Sequence, residues 1–319
     1  MSLDNFVTPI LPCKIKGLLN RIFIKREDLI PYYFGGNKVR IAQTYYDDMD
    51  AQGKNCMVGY GNARSNLNRA LAMMGISRGL PCYIISPSDE DGTRQKTFNS
   101  HMVEECNALF RYCTKQNVPE TVDSVFEEIK ANGLLPYYVY GNHYGQGNEA
   151  VPVRAYAKVY HEIRKQEKEL GIKFDYIFLP TGTGMTHSGL LAGQREARGN
   201  ETIIGVSIAR TIKQERQKIQ EYVEAYEGKK IDGLKITLLD DYIAGGYGKY
   251  NDAIRTTIYE MLKKGIPLDP TYTGKAFWGM CDYIKKQEVQ EKNILFLHTG
   301  GTPLFYDFLT LENLEGNKT

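Results

Sequence analysis

The chain has 319 residues, with 40 Lys and Arg against 38 Asp and Glu and a formal net charge of +2. A length beyond the ~250–300 residues at which a single core stops growing favours two domains, and a near-neutral chain without a basic block offers no field for nucleic acid or anionic lipid. No stretch approaches the ~20 apolar residues of a membrane span, and the opening MSLDNFVTPIL carries an acid where a signal peptide carries basic charge; the expected partner is a small molecule and the expected location cytoplasmic.

In chain order, the first unusual stretch is YYFGGNKVR, Tyr32 to Arg40, where three aromatics, two glycines and an asparagine crowd Lys38 at the start of a helical pattern. Short β-rich runs follow, NCMVGY, PCYIIS, ALFRYC and PYYVY, alternating with helical patterns such as SNLNRALAMMG and VDSVFEEIKANG. That alternation predicts β-α-β units and a parallel sheet. A long amphipathic segment, Glu149 to Leu170, lies between this set and a second one. The second set runs from YIFLP through a glycine-rich loop and helix to TIIGVS, a charged helix from about Thr211 to Glu227, two further helices and NILFLHTGG. A second parallel sheet is expected, with ligands beyond the carboxyl ends of its strands.

The six cysteines, Cys13, Cys56, Cys82, Cys106, Cys113 and Cys281, form no C-x-x-C pair, and the five histidines add no ligand-spaced cluster. Reduced, mostly buried thiols and no structural metal are expected.

The clearest functional loop is DYIFLPTGTGMTHSGLLAG, an apolar strand ending at Pro180, small residues from Thr181 to Thr186, and a helix expected to open at His187 and Ser188. Backbone N–H groups freed by small residues at a positive helix end make a phosphate cradle. Hydroxyls of Thr181, Thr183 and Thr186 add donors. The spacing of Gly182, Gly184 and Gly189 is not G-x-G-x-x-G, no acid ends the next strand, and no G-K-[ST] occurs, so an isolated phosphate monoester suits the loop better than a dinucleotide. A plain strand-to-helix turn is the alternative. A phosphate cradle and a crowded lysine together suggest a cofactor with both a phosphate and an aldehyde. Pyridoxal 5′-phosphate (PLP) is such a cofactor: its aldehyde condenses with a lysine amine and its ring takes up electrons released at the substrate Cα.

KREDLIPYYFGGNKVR, GNARSNLNRALA, PTGTGMTHSGLLAG, GGYGKYN, LDPTYTGKAFWGM and LHTGGTP occur in the order seen in the PLP-dependent 1-aminocyclopropane-1-carboxylate (ACC) deaminase and D-cysteine desulfhydrase family. The sequence resembles that family from about Pro9 to Tyr306. The resemblance implies the tryptophan-synthase-β-like fold: two α/β domains, each an open, mostly parallel sheet flanked by helices, with the cofactor in the cleft between them. On that pattern residues 1–40 and 151–319 form the larger, PLP-binding domain and 41–150 the smaller.

Matched residue by residue, Lys38 occupies the family's Schiff-base position. Ser65 and Asn66 match its Ser-Asn pair, the asparagine bonding the cofactor's 3′-oxygen and the serine lying near the substrate carboxylate or acting in proton transfer; Ser65 can equally serve as a helix N-cap. Tyr247 in GGYG and Tyr272 in DPTYTGK match two active-site tyrosines. The resemblance also gives Thr181, Gly182, Thr183, Gly184 and Thr186 the phosphate. Thr273 stands where ACC deaminases are expected to carry a glutamate facing the pyridine nitrogen and D-cysteine desulfhydrases a threonine. A carboxylate there favours a protonated ring and a deep electron sink, which cyclopropane opening needs more than thiolate expulsion does. Thr299 in HTGG also follows the desulfhydrase pattern, where the deaminases tend to read HLGG.

The resemblance therefore implies α,β-elimination on a small amino acid, most simply D-cysteine, by a homodimer. Leu67 and Asn68 replace the polar residue and threonine expected after the Ser-Asn pair, at a substrate-facing position, and Met185 interrupts a run usually rich in glycine. These departures leave β-replacement and ACC deamination as alternatives. More distant rivals are an NADP-binding oxidoreductase, with Arg210 at a 2′-phosphate, and a catalytically silent PLP-fold protein.

Overall fold

The structure is a computed structural model that describes residues 6–87 and 96–316, with side chains to residue 312. Residues 1–5, which contribute to the expectation of no signal peptide, lie outside the described residues.

In chain order the elements are β1 (Ile10–Pro12), β2 (Arg21–Arg26), a 3-10 turn (Glu27–Leu29), α1 (Asn37–Ala51), β3 (Cys56–Tyr60), α2 (Asn66–Ser77), β4 (Cys82–Pro87), α3 (Phe98–Glu105), β5 (Leu109–Cys113), α4 (Val118–Ala131) and β6 (Pro136–Tyr138). They continue with α5 (Ala150–Leu170), β7 (Tyr176–Thr181), α6 (Met185–Ala197), β8 (Thr202–Ser207), α7 (Ile212–Glu227), β9 (Thr237–Leu239), α8 (Asp252–Leu262), α9 (Thr273–Lys286), β10 (Asn293–His298) and α10 (Thr302–Gly316). The chain divides into two compact units, one of Met1–Asn37 with Val153–Thr319, the other Lys38–Pro152.

The first unit holds a six-stranded sheet in the order β1-β2-β10-β7-β8-β9. All its neighbours run parallel except the edge pair β1 and β2. Its core stacks Ile24, Phe178, Ile204, Ile294 and Phe296 of the strands against Phe277, Met280 and Ile284 of α9. The central strands are nearly continuous apolar runs because helices cover a parallel sheet on both faces. α7 and α8 begin where the sequence supplies a cap: Thr211 accepts from the Gln214 N–H in a reciprocal capping box, and Asn251 accepts from the Ile254 N–H.

β2 departs from the sequence expectation, which drew the strands of this sheet only from the second half of the chain. RIFIKR looks too charged for an interior strand, yet Lys25 is fully buried. Its ammonium meets Glu162 Oε1 at 2.5 Å, Gln166 Oε1 at 2.8 Å and the Thr8 carbonyl at 3.1 Å. A buried charge is tolerable when it is paired and its donors are used.

The second unit is a four-stranded parallel sheet, β5-β4-β3-β6, with β3 paired to β4 and β6. Its strands are the four runs NCMVGY, PCYIIS, ALFRYC and PYYVY. Among the described residues no helix is long and apolar enough to cross a membrane, and no group of His, Cys, Asp or Glu is arranged to hold a metal ion. The cysteines are free thiols, with Cys13, Cys56 and Cys82 buried.

Candidate active site

In the first unit the site residues gather at the carboxyl ends of β2, β10 and β7, which are neighbours in the sheet. The FGGN segment leaves β2 and the HTGG segment leaves β10, and the two pack backbone to backbone. A Cβ on Gly300 would stand 2.5 Å from Gly36 Cα. Next to this contact the Asn37 N–H donates to the Thr299 carbonyl at 2.9 Å, and its side-chain amide donates to Thr186 Oγ1 at 2.8 Å. One asparagine thus joins three loops, and Lys38 is the next residue along the chain. Tyr33 and Phe34, just before the glycines, both have positive φ, 53° and 61°. Strain of this kind persists only where the surroundings impose it, which makes it characteristic of functional segments.

β7 ends at Thr181, and the helix then starts at Met185, two residues earlier than the sequence suggested. Gly184 allows this by taking φ +84° as the N-cap; a left-handed residue turns the chain into the helix at once. Met185 and Thr186 therefore lie in the first turn of α6. No side chain caps this helix, although its first four residues are buried. Such a helix start has N–H donors that need an outside acceptor, and its dipole favours an anion. The donor set suits a phosphate monoester. Thr181 differs from its sequence assignment in one respect: its hydroxyl donates to the buried Glu215 Oε1 at 2.7 Å, so its proton is already committed within the protein.

Beside this turn stand the two tyrosines. Tyr247 and Tyr272 place their phenol oxygens 2.7 Å apart, with rings edge to face at 5.9 Å. A Cβ on Gly182 would lie 3.8 Å from Tyr272 Cε1, which sets this ring against the turn. Tyr272 is held by Asp269, whose carboxylate accepts from the N–H groups of Thr271 at 2.9 Å, Tyr272 at 2.8 Å and Thr273 at 3.1 Å. Burial pushes the Asp269 carboxyl pKa up, against the pull of these bonds. Thr273 is fully buried; its hydroxyl donates to Asp269 Oδ2 at 2.8 Å and accepts from the Asp269 N–H at 2.8 Å.

Tyr247 is held through Lys275, a fully buried lysine on α9. Its ammonium spends its three donors on the carbonyls of Ile208 at 3.0 Å, Ile243 at 2.6 Å and Gly246 at 2.7 Å. The glycine loop that carries Tyr247 is thereby tied to the helix that opens at Tyr272. Burial lowers the Lys275 pKa to about 8, with Asp269 opposing the shift.

In the second unit, Lys38 is the second residue of α1 and half-buried. Ser65 caps α2, its hydroxyl oxygen accepting from the Asn68 N–H at 3.1 Å. Asn66 opens the helix and accepts from Asn99 Nδ2 at 3.0 Å. Leu67 is buried, at 7% exposure, so most of its surface packs against protein.

Sequence reasoning did not single out Asn37, Asp269, Lys275, Glu215 or Asn99. Asn37 and Asp269 sit inside quoted motifs, one before Lys38 and the other before Pro270, and could have been found there; a buried lysine in a helix carries no local signal. Arg210, the residue an NADP reading would use, lies 3.7 Å from Glu215.

With this geometry in hand, comparison with known proteins gives a consistent result. The chain matches the family model described as pyridoxal-phosphate-dependent enzyme over residues 1–300. A D-cysteine desulfhydrase of Yersinia pestis is 31% identical over 90% of this chain and 88% of its own. A solved structure described as an ACC deaminase homologue superposes with TM-score 0.79 at 26% identity, covering 95% of this chain and 92% of that one. A hydrogen sulfide-producing enzyme from Fusobacterium nucleatum shares the fold, with TM-score 0.64 at 19% identity over 94% of this chain and 97% of its own. This chain belongs to the pyridoxal-phosphate-dependent enzymes, in the group that includes the D-cysteine desulfhydrases and ACC deaminase homologues.

Proposed function

We propose that this enzyme cleaves the Cβ–S bond of a small D-configured amino acid, of the kind of D-cysteine, taking up one water and releasing pyruvate, ammonium and hydrogen sulfide. The observation that carries the reading is the phenol pair of Tyr247 and Tyr272, 2.7 Å apart beside the uncapped start of α6. Pyridoxal phosphate, when bound, supplies the electron sink that makes the substrate Cα–H acidic.

The N–H groups of Gly182, Thr183, Gly184 and Thr186 would hold its phosphate, with Thr181 shaping the turn from behind. Lys38 would hold the aldehyde end of the cofactor, and its Nζ, as a free amine, would take the Cα proton of the substrate. Asn66 would bond the ring oxygen, and Ser65, Leu67 and Thr299 would line the substrate. Tyr272, held by Tyr247, would deliver a proton to the departing sulfur; a hydrogen-bonded phenol partner stabilises the phenolate left behind. Thr273, whose hydroxyl is engaged with Asp269, would give the ring nitrogen no carboxylate, which would suit a thiolate leaving group better than a cyclopropane carbon. The homodimer and the cytoplasmic site of action implied by the family resemblance belong to this proposal, and sedimentation of the purified protein tests the first.

The purified protein should show a visible band that borohydride bleaches, and Lys38→Ala should lack it. Pyruvate and sulfide from D-cysteine should exceed those from L-cysteine. Dominant 2-oxobutyrate release from ACC would assign the enzyme to deamination instead, and capture of an added nucleophile in the product would assign it to β-replacement.

A further inference from the structure

Arg69 is among the largest fully buried side chains of the protein, and Asn99 beside it is fully buried as well. Arg69 lies on α2 and Asn99 on α3, both in the second unit. The guanidinium donates to Asn99 Oδ1 at 3.3 Å. Asn99 Nδ2 in turn donates to the Arg64 carbonyl at 3.2 Å and to Asn66 Oδ1 at 3.0 Å.

The polarity of this chain is forced. A guanidinium has donors only and a backbone carbonyl is an acceptor only, so Asn99 must present its oxygen to Arg69 and its amine to Arg64. Turning the Asn99 amide over would set donor against donor at one end and acceptor against acceptor at the other. Asn66, which meets that fixed amine, must answer with its oxygen, and its own amine is left on the opposite edge of the side chain. Two independent partners thus settle an amide orientation that is otherwise ambiguous.

We infer that Arg69 and Asn99 are positioning residues that fix Asn66 with its NH2 turned toward the ligand, so that the group received there must be a hydrogen-bond acceptor. This rests on the cofactor reading, in which the acceptor is the 3′-oxygen of PLP. The buried arginine then has a purpose: it sets the direction of a relay, at the cost of burial that lowers its own pKa to about 10.

The test is PLP affinity, titrated spectroscopically on the parent, Asn99→Asp, Asn66→Ala and the double variant, with unfolding of each apoprotein as a control. Aspartate is nearly the size of asparagine and pairs with Arg69, but it has acceptors on both sides and draws the Asn66 amine inward. Asn99→Asp should weaken PLP binding about tenfold, the worth of one hydrogen bond to a charged acceptor. In the Asn66→Ala background the same change should have no further effect. Should Asn99→Asp prove unstable, Asn66→Asp keeps the bond from Asn99 while turning an acceptor outward, and should cost at least as much affinity. Parent-like affinity in Asn99→Asp, or an equal loss with and without Asn66, overturns the inference; for an unstable Asn99→Asp, parent-like affinity in Asn66→Asp does so. A parent that binds no PLP overturns the cofactor reading and this inference with it.

Discussion

Replacing Gly300 by alanine tests the packing that brings three loops together. A Cβ there would stand 2.5 Å from Gly36 Cα, where carbon atoms normally keep about 3.5–4.0 Å. The obstacle is backbone, which cannot swing aside as a side chain could. The loops would have to part by about 1 Å, loosening the Asn37 bonds to Thr299 and Thr186 that position the start of α1. Gly300 also has φ +96°, which costs alanine about 1 kcal/mol, and overpacking adds about 2 kcal/mol. Gly300→Ala should therefore lower the unfolding free energy by about 3 kcal/mol. Gly265 is the control: its φ is +75° and nothing lies within 4 Å of a Cβ built on it, so Gly265→Ala carries only the backbone cost of about 1 kcal/mol. Urea unfolding of the three apoproteins measures the difference. If Gly300→Ala loses no more than Gly265→Ala, the close approach does not constrain these loops and the reasoning fails.

Tyr272→Phe keeps the ring contact and removes the phenol bonded to Tyr247; sulfide release from D-cysteine should fall about a hundredfold while the borohydride-sensitive band persists, and unchanged turnover would remove Tyr272 as the proton donor. Lys275 gives a pH prediction. Burial lowers its pKa from 10.5 to about 8, so the folded chain gives up this proton before the unfolded one does. The group's contribution to stability is present above about 10.5 and lost as pH falls through about 8. Across that window the parent should gain about 3 kcal/mol from this group relative to Lys275→Met, read by urea unfolding on either side; equal slopes would show that this ammonium is not the group that titrates.

Much of the fold could be read directly. NCMVGY, PCYIIS and YIFLP are apolar runs bounded by turn residues, and α7 and α8 start at side chains that cap them, because periodicity and capping are properties of neighbouring residues. The threonine-glycine turn was legible for the same reason. Its helix began two residues early because the left-handed Gly184 starts it, and small residues alone do not reveal which glycine will take that conformation.

The sequence by itself determined the local elements, the motif order that identifies the family, and the candidate lysine, tyrosines and phosphate turn. Only the tertiary structure decided that Lys25 could be buried, through Glu162, 137 positions away; that Tyr247 and Tyr272 share a hydrogen bond; that Lys275 clamps one tyrosine's loop to the other's helix; and that Arg69 and Asn99 orient Asn66. These are contacts between polar groups distant in sequence, and each is stable only because the fold removes water and supplies the matching donor or acceptor. Neither condition is written in the residues adjacent to the group it satisfies.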